Sequence, residues 1–143
     1  MIREALPRRL WLGNAADARD VVGVLNKGIG AIVDLAMEEP PAQFPRDVVY
    51  CRFPLVDGAG NRPELVRAAV DVTASFIQSG LATLVACGGG MSRSPTIAAA
   101  ALAKIEGRSL DDGLREVTGG AVHDVSTSLW AEIKSIVQCE PPI

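Results

Sequence analysis

A cysteine and an arginine separated by five residues, three of them glycines, are the groups in this chain best suited to chemistry. They stand in Ala86-Cys87-Gly88-Gly89-Gly90-Met91-Ser92-Arg93-Ser94-Pro95. The apolar run Leu84-Val85-Ala86 reads as a strand entering this stretch, and an alanine-rich helical pattern leaves it. A strand, a tight glycine loop and a helix N-terminus in that order point backbone N–H groups at one spot, where the helix end adds partial positive charge. Thiols have a pKa of about 8.5 when free and roughly 3.5–7.5 at a helix N-terminus beside an arginine, so Cys87 is a candidate nucleophile. Arg93 offers a planar fork for two phosphate oxygens. A helix start disfavours a cation, which argues for an anion between Arg93 and the helix. Gly88, Gly89 and Gly90 allow a loop to wrap that anion in conformations other residues avoid. The expected phosphate-binding set is Gly88, Gly89, Gly90, Met91, Ser92 and Arg93, with Ser92 supporting the shape of the loop.

Cys-x5-Arg followed by serine resembles the signature of the protein tyrosine phosphatases, and Ser92-Arg93-Ser94-Pro95-Thr96 is typical of their dual-specificity branch. Leu10-Trp11-Leu12-Gly13-Asn14 resembles that branch's first strand and the turn after it. Gly28-Ile29-Gly30-Ala31-Ile32-Val33-Asp34-Leu35 resembles its next strand, and Phe53-Pro54-Leu55-Val56-Asp57 the segment carrying its general acid. The likeness covers roughly residues 8–138.

The resemblance implies a metal-independent phosphomonoester hydrolase, of protein tyrosine or dual-specificity phosphatase type, acting through a phosphocysteine on Cys87. It implies that Ser94 donates a hydrogen bond to the sulfur and helps it leave in the second step. Asp57, in Val56-Asp57-Gly58-Ala59-Gly60-Asn61, lies 30 positions before Cys87. A carboxyl group on a mobile Gly-rich loop can protonate the leaving oxygen and later deprotonate a water. Asp34 and Asp71 are weaker candidates for that role. The main departure from the family is Ala86, where relatives place a histidine that helps hold the loop and lower the thiol pKa. Some relatives protect the nucleophile by a reversible disulfide, which gives Cys51 a possible second role besides core packing. The loop carries no lysine, so a phosphoinositide is less expected than a phosphorylated protein or a small phosphomonoester. Two other functions remain open: a non-catalytic phosphate-binding pseudophosphatase, and a rhodanese-like sulfurtransferase. A nucleotide-binding loop is excluded by the absence of Gly-x4-Gly-Lys-[Ser/Thr].

These groups need a frame of alternating strands and helices. Strands are expected at Arg9–Leu12, Ala31–Leu35, Val48–Phe53 and Thr83–Ala86, with Glu38-Glu39-Pro40-Pro41 as an exposed loop between two of them. From Pro63 to Gln78 apolar residues follow one helical face; Asn61 is a candidate cap, Pro63 suits the first turn and Gly80 the end. A second helix follows Arg93, with Pro95 in its first turn. Ser109-Leu110-Asp111-Asp112 has capping-box spacing and opens a third. In the last helix Leu129, Trp130, Ile133, Ile136 and Val137 share a face. The pattern predicts an α/β fold: a three-layer sandwich with a mostly parallel, four- to five-stranded central sheet flanked by helices. The glycine loop then lies at the C-terminal end of a central strand, where ligands of such sheets bind.

With 143 residues, the chain is expected to form a single domain over 1–143. Hydrophobic residues are 48% and charged ones 22%, an ordinary globular balance, and the net charge of −3 argues against a nucleic-acid partner. Arg3, Glu4, Arg8 and Arg9 interrupt any signal-peptide pattern, and the longest apolar run, Ile97 to Ala103, is too short for a bilayer. Cys51, Cys87 and Cys139 lack a Cys-x-x-Cys pattern and read as free thiols. The single histidine, His123, reads as a loop residue and rules out a multi-histidine metal site. The expectation is a cytoplasmic monomer without metal or cofactor and without membrane attachment. Trp11 and Trp130 are expected in or at the edge of the core.

Overall fold

The computed structural model describes residues 2–120 and 123–138. They form, in chain order, β1 (Arg3–Leu6), β2 (Leu10–Asn14), α1 (Ala15–Arg19), α2 (Val21–Asn26), β3 (Ala31–Ala36), β4 (Val49–Leu55), α3 (Pro63–Ser79), β5 (Thr83–Cys87), α4 (Arg93–Glu106), α5 (Leu110–Thr118) and α6 (Thr127–Gln138). The strands make one sheet in the order β1-β2-β5-β3-β4. The β1–β2 pair is antiparallel and the other three pairs are parallel. The expected α/β sandwich with a mostly parallel sheet is therefore what the chain adopts.

β3 and β5 are buried along their whole length, as strands covered on both faces must be. On one face Leu10, Leu12, Val33, Leu35, Val85 and Cys87 pack against the helices α3 to α6. On the other, Trp11, Ile32, Leu84 and Ala86 meet Ala18, Val24 and Ile29 from the α1–α2 side. Alternation along β5 thus sends Cys87 and Ala86 to opposite faces. α4 lies at the centre of the larger layer, in contact with α3, α5 and α6, and every residue from Arg93 to Ala103 is buried.

Local signals account for most of the helix ends. Pro63 takes the first position of α3, and Gly80 ends it at φ 81°. The Ser109 hydroxyl accepts from Asp112 N–H at 3.1 Å and opens α5. Asn61 does not cap α3: Arg62 takes that position with no side-chain cap bond, and Asn61 turns back into the 56–61 loop. The sequence reading missed β1, α1 and α2. Asn14 and Asp17 form a reciprocal cap on α1, with bonds of 2.8 and 2.9 Å, and Asp20 caps α2. That Asn-x-x-Asp spacing was the available signal, but helices of five and six residues show too few turns for a periodicity. Trp11 is buried, and Trp130 packs at the core's edge. Cys139 lies outside the described residues. Among those residues, no helix is long and apolar enough to cross a membrane, and no cluster of His, Cys, Asp and Glu could hold a metal ion.

Candidate phosphate site

β5 ends at Cys87 and α4 begins at Arg93, so the glycine loop spans residues 88–92 at the C-terminal edge of the sheet. Its three glycines differ in what the structure demands of them. Gly90 has φ 75°, and a Cβ there would stand 3.0 Å from the carbonyl of Gly13, so both conformation and space demand glycine. Gly88 has no such φ; a Cβ there would come within 2.4 Å of Glu38 Oε2 and 2.9 Å of Arg93 Nη2. Gly89 meets nothing within 4 Å and has no positive φ.

The thiol of Cys87 is buried, and its sulfur accepts the Gly90 N–H at 3.2 Å. Among the described residues, the N–H groups of Gly89, Met91 and Ser92 have no protein acceptor. Arg93 is 4% exposed, and its Nε has no hydrogen-bond partner. Unpaired donors converging from a loop and a helix start form an anion-binding concavity. The Met91 carbonyl accepts Asp124 N–H at 2.9 Å, which ties the loop to the segment preceding α6. His123, next to that anchor, is exposed.

Glu38 was expected only as part of an exposed loop, yet its carboxylate meets the guanidinium of Arg93. Nη1 donates to Oε1 at 2.7 Å and Nη2 to Oε2 at 2.5 Å, while Nη1 also donates to the Leu55 carbonyl at 2.8 Å. The Arg93 hydrogen bond pulls the Glu38 pKa from 4.5 to about 2 against a smaller opposing effect of burial. From β4, Arg52 Nη2 gathers the carbonyls of Ala36 (3.1 Å), Met37 (3.3 Å) and Glu39 (2.5 Å), and so shapes the turn that presents Glu38. No local pattern in the sequence links Glu38 to residue 93. The excess of glycine beside the cysteine was the one available hint.

Asp57 sits exposed on the rim, and its Oδ1 accepts the Ser92 hydroxyl at 2.6 Å. The 56–61 loop is fastened rather than loose. Buried Asn61 accepts Val56 N–H at 2.8 Å and donates to the carbonyls of Val56 (3.1 Å) and Gly58 (3.0 Å). Glu132 of α6 accepts Gly60 N–H at 2.7 Å and Asn61 Nδ2 at 3.0 Å. These bonds tie the backbone of the loop on which a mobile acid was expected. Met37, Glu38, Val56, Asp57 and Arg93 line one open cleft.

Ser94 is fully buried, but its hydroxyl donates to the Gly13 carbonyl at 3.5 Å and not to the Cys87 sulfur. Asp34 and Asp71 are engaged elsewhere. Asp34 accepts the Tyr50 hydroxyl and Ala36 N–H, and Asp71 accepts Lys104 Nζ. Burial pushes the half-buried Cys51 thiol up from its ordinary pKa. Cys51 and Val85 are both registered on Val33, and Cys87 lies two residues further along β5. Two strand spacings and two residues of rise put the two cysteine Cα atoms roughly 12 Å apart. A disulfide needs less than about 7 Å, so Cys51 and Cys87 could pair only with movement of the backbone.

No family model and no curated protein matches the chain. Solved structures do. A variant of human DUSP28 superposes with a TM-score of 0.83 at 23% identity, over 96% of this chain and 94% of its own. A mouse protein assigned as a dual specificity phosphatase and complexed with zinc tungstate gives 0.82 at 25% identity, over 96% and 86%. DUSP15 gives 0.76 at 22% identity, over 96% and 88%. The fold of this chain is that of the dual-specificity phosphatases, and the resemblance read from its sequence is matched in its architecture.

Proposed function

We propose that this chain, built on the dual-specificity phosphatase fold, hydrolyses phosphomonoesters without a metal, most directly those on protein side chains, through a phosphocysteine. The Cys87 thiolate attacks phosphorus as the bond from phosphorus to the ester oxygen breaks. Asp57 gives its proton to that oxygen, and the alcohol or phenol leaves. A water then attacks the phosphocysteine while Asp57 takes its proton; the S–P bond breaks, inorganic phosphate departs and the thiolate returns. The N–H groups of the loop and the Arg93 guanidinium neutralise the equatorial oxygens, where a phosphoryl transition state carries its charge.

The observation that carries this reading is the convergence of three groups on one loop. The Cys87 sulfur stands at its start, the buried Arg93 with its unpartnered Nε at its end, and Asp57 is tied to it through Ser92. A purely phosphate-binding module has no need of a carboxylate held there. Ser94 keeps the role its family resemblance implies: its bond of 3.5 Å to Gly13 is at the limit of hydrogen bonding and holds the hydroxyl only weakly. The site would operate in a cytoplasmic monomer with no cofactor.

The test is turnover of an activated aryl phosphate. Cys87→Ser should abolish it while inorganic phosphate or vanadate still binds, and activity should survive strong chelator. Undiminished turnover by the serine variant would refute the covalent step. Loss of activity in EDTA, restored by a divalent ion, would refute the metal-free assignment.

A further inference from the structure

Ser92 and Asp57 lie 35 positions apart, yet the serine hydroxyl donates to Asp57 Oδ1 at 2.6 Å. A hydroxyl has one proton and two lone pairs. The backbone N–H of Ser126 donates into one of those lone pairs at 2.9 Å, so the proton is turned toward the aspartate. Ser92 also occupies the N-cap position of α4, where a serine side chain usually accepts a helix N–H. It makes no such bond. The side chain best suited to closing the helix faces across the cleft instead, and Asp57 is the group it serves.

We propose that Ser92 is the positioning residue of the general acid, holding Asp57 Oδ1 on the phosphate loop so that Oδ2 carries the transferable proton. This rests on the reading of Asp57 as the acid of the proposed hydrolysis. Oδ1 accepts from Ser92 whether Asp57 is protonated on Oδ2 or ionised. One hydrogen bond therefore holds the residue both as acid in the first step and as base in the second, with no reorganisation between them. The acid is also referenced to the same loop that binds the phosphoryl group, which fixes its distance from the leaving oxygen. The N-terminus of α6 joins the arrangement through Ser126.

The experiment measures kcat and KM for aryl phosphates of graded leaving-group pKa, from nitrophenyl to phenyl phosphate, in wild type, Ser92→Ala, Ser92→Thr, Asp57→Asn and the Ser92→Ala/Asp57→Asn double variant. Misplacing a catalytic group by an ångström costs up to about 100-fold, so Ser92→Ala should lower kcat on phenyl phosphate by roughly 10- to 100-fold. Nitrophenyl phosphate should lose much less, and inhibition by inorganic phosphate should be unchanged. Ser92→Thr keeps the hydroxyl and should recover the rate. In the Asp57→Asn background Ser92→Ala should add nothing. An equal loss on every leaving group, or a loss that persists in the Asp57→Asn background, would overturn the proposal and make Ser92 a residue of loop shape. If Asp57→Asn itself shows no dependence on the leaving group, the acid assignment fails first and takes this inference with it.

Discussion

Glu38 grips Arg93 end-on, each carboxylate oxygen taking one terminal nitrogen. A guanidinium has five N–H donors in a fixed plane. Two go to Glu38 and a third to the Leu55 carbonyl. The two that remain, on Nε and Nη2, lie side by side along the other edge and form a parallel fork of the kind that suits two oxygens of one phosphate. Glu38 thus orients the arginine and leaves its Nε–Nη2 edge free.

Glu38→Ala should therefore weaken phosphate binding. The guanidinium would keep Leu55 as its one anchor and lose the pair that fixes its plane. The expected result is a rise of roughly tenfold in the inhibition constant for inorganic phosphate, the cost of about one charge-assisted hydrogen bond. A fall in that constant would mean that the carboxylate competes with phosphate for the arginine.

The same pair predicts a pH window. Arg93 holds the Glu38 carboxyl at about 2, below its ordinary 4.5. A carboxylate whose pKa is depressed by folding adds stability that is fully present above its unfolded pKa and disappears as pH falls through the folded one. The Glu38 side chain is 55% exposed, so solvent screens part of the effect. The difference in Tm between wild type and Glu38→Gln should be constant from roughly pH 5 to 8 and close between 4.5 and about 2. A gap that persisted at the acid end would show that the amide, and not the lost charge, causes it.

The three loop glycines should separate under substitution. Gly90→Ala forces a side chain into a left-handed φ and against the Gly13 carbonyl, and should destroy activity and lower Tm. Gly88→Ala should displace Glu38 and mimic Glu38→Ala in phosphate affinity, because the added Cβ meets Oε2 at 2.4 Å. Gly89→Ala meets open space at an ordinary φ and should stay within about twofold of wild type. Phosphate inhibition constants and melting curves on the three variants check the order. A Gly89 variant as damaged as the Gly90 one would contradict it.

What the sequence revealed follows how local each signal is. Four of the five strands, the four longer helices and the Cys87–Arg93 loop rest on patterns within about ten residues, and these were legible. The pairs that refine the site are not local. Glu38 meets Arg93 across 55 positions, Ser92 meets Asp57 across 35, and Glu132 holds the backbone of Asn61 across 71. Nothing in the Gly58-Ala59-Gly60 composition reveals that a glutamate on α6 fastens it, so the loop read as mobile. Asn61 read as a helix cap because its residue type and place fit one, but its side chain closes the loop instead.

Position 86 supplies the last prediction. Relatives in the resembling family carry a histidine there, and a polar ring beside the nucleophile suggests a simple gain on restoring it. The structure argues otherwise. Ala86 is fully buried on the face opposite Cys87, among Trp11, Ile32 and Leu84. Its registered neighbours are Gly13 and Asp34. The Asp34 carboxylate already accepts Tyr50 OH and Ala36 N–H, and burial together with that carboxylate pushes the tyrosine pKa up. An imidazole has to enter a filled cluster and share a carboxylate in use. Overpacking of this kind costs about 1–3 kcal/mol, so Ala86→His should lower Tm by roughly 3–10 °C. Because β5 also carries Cys87, turnover should fall with it at every pH. Ala86→Ser, which adds one small atom, should keep both Tm and activity near wild type. If Ala86→His instead held its Tm and gained turnover at mildly acidic pH, the space beside Asp34 would accept the ring, and position 86 would carry chemistry rather than packing.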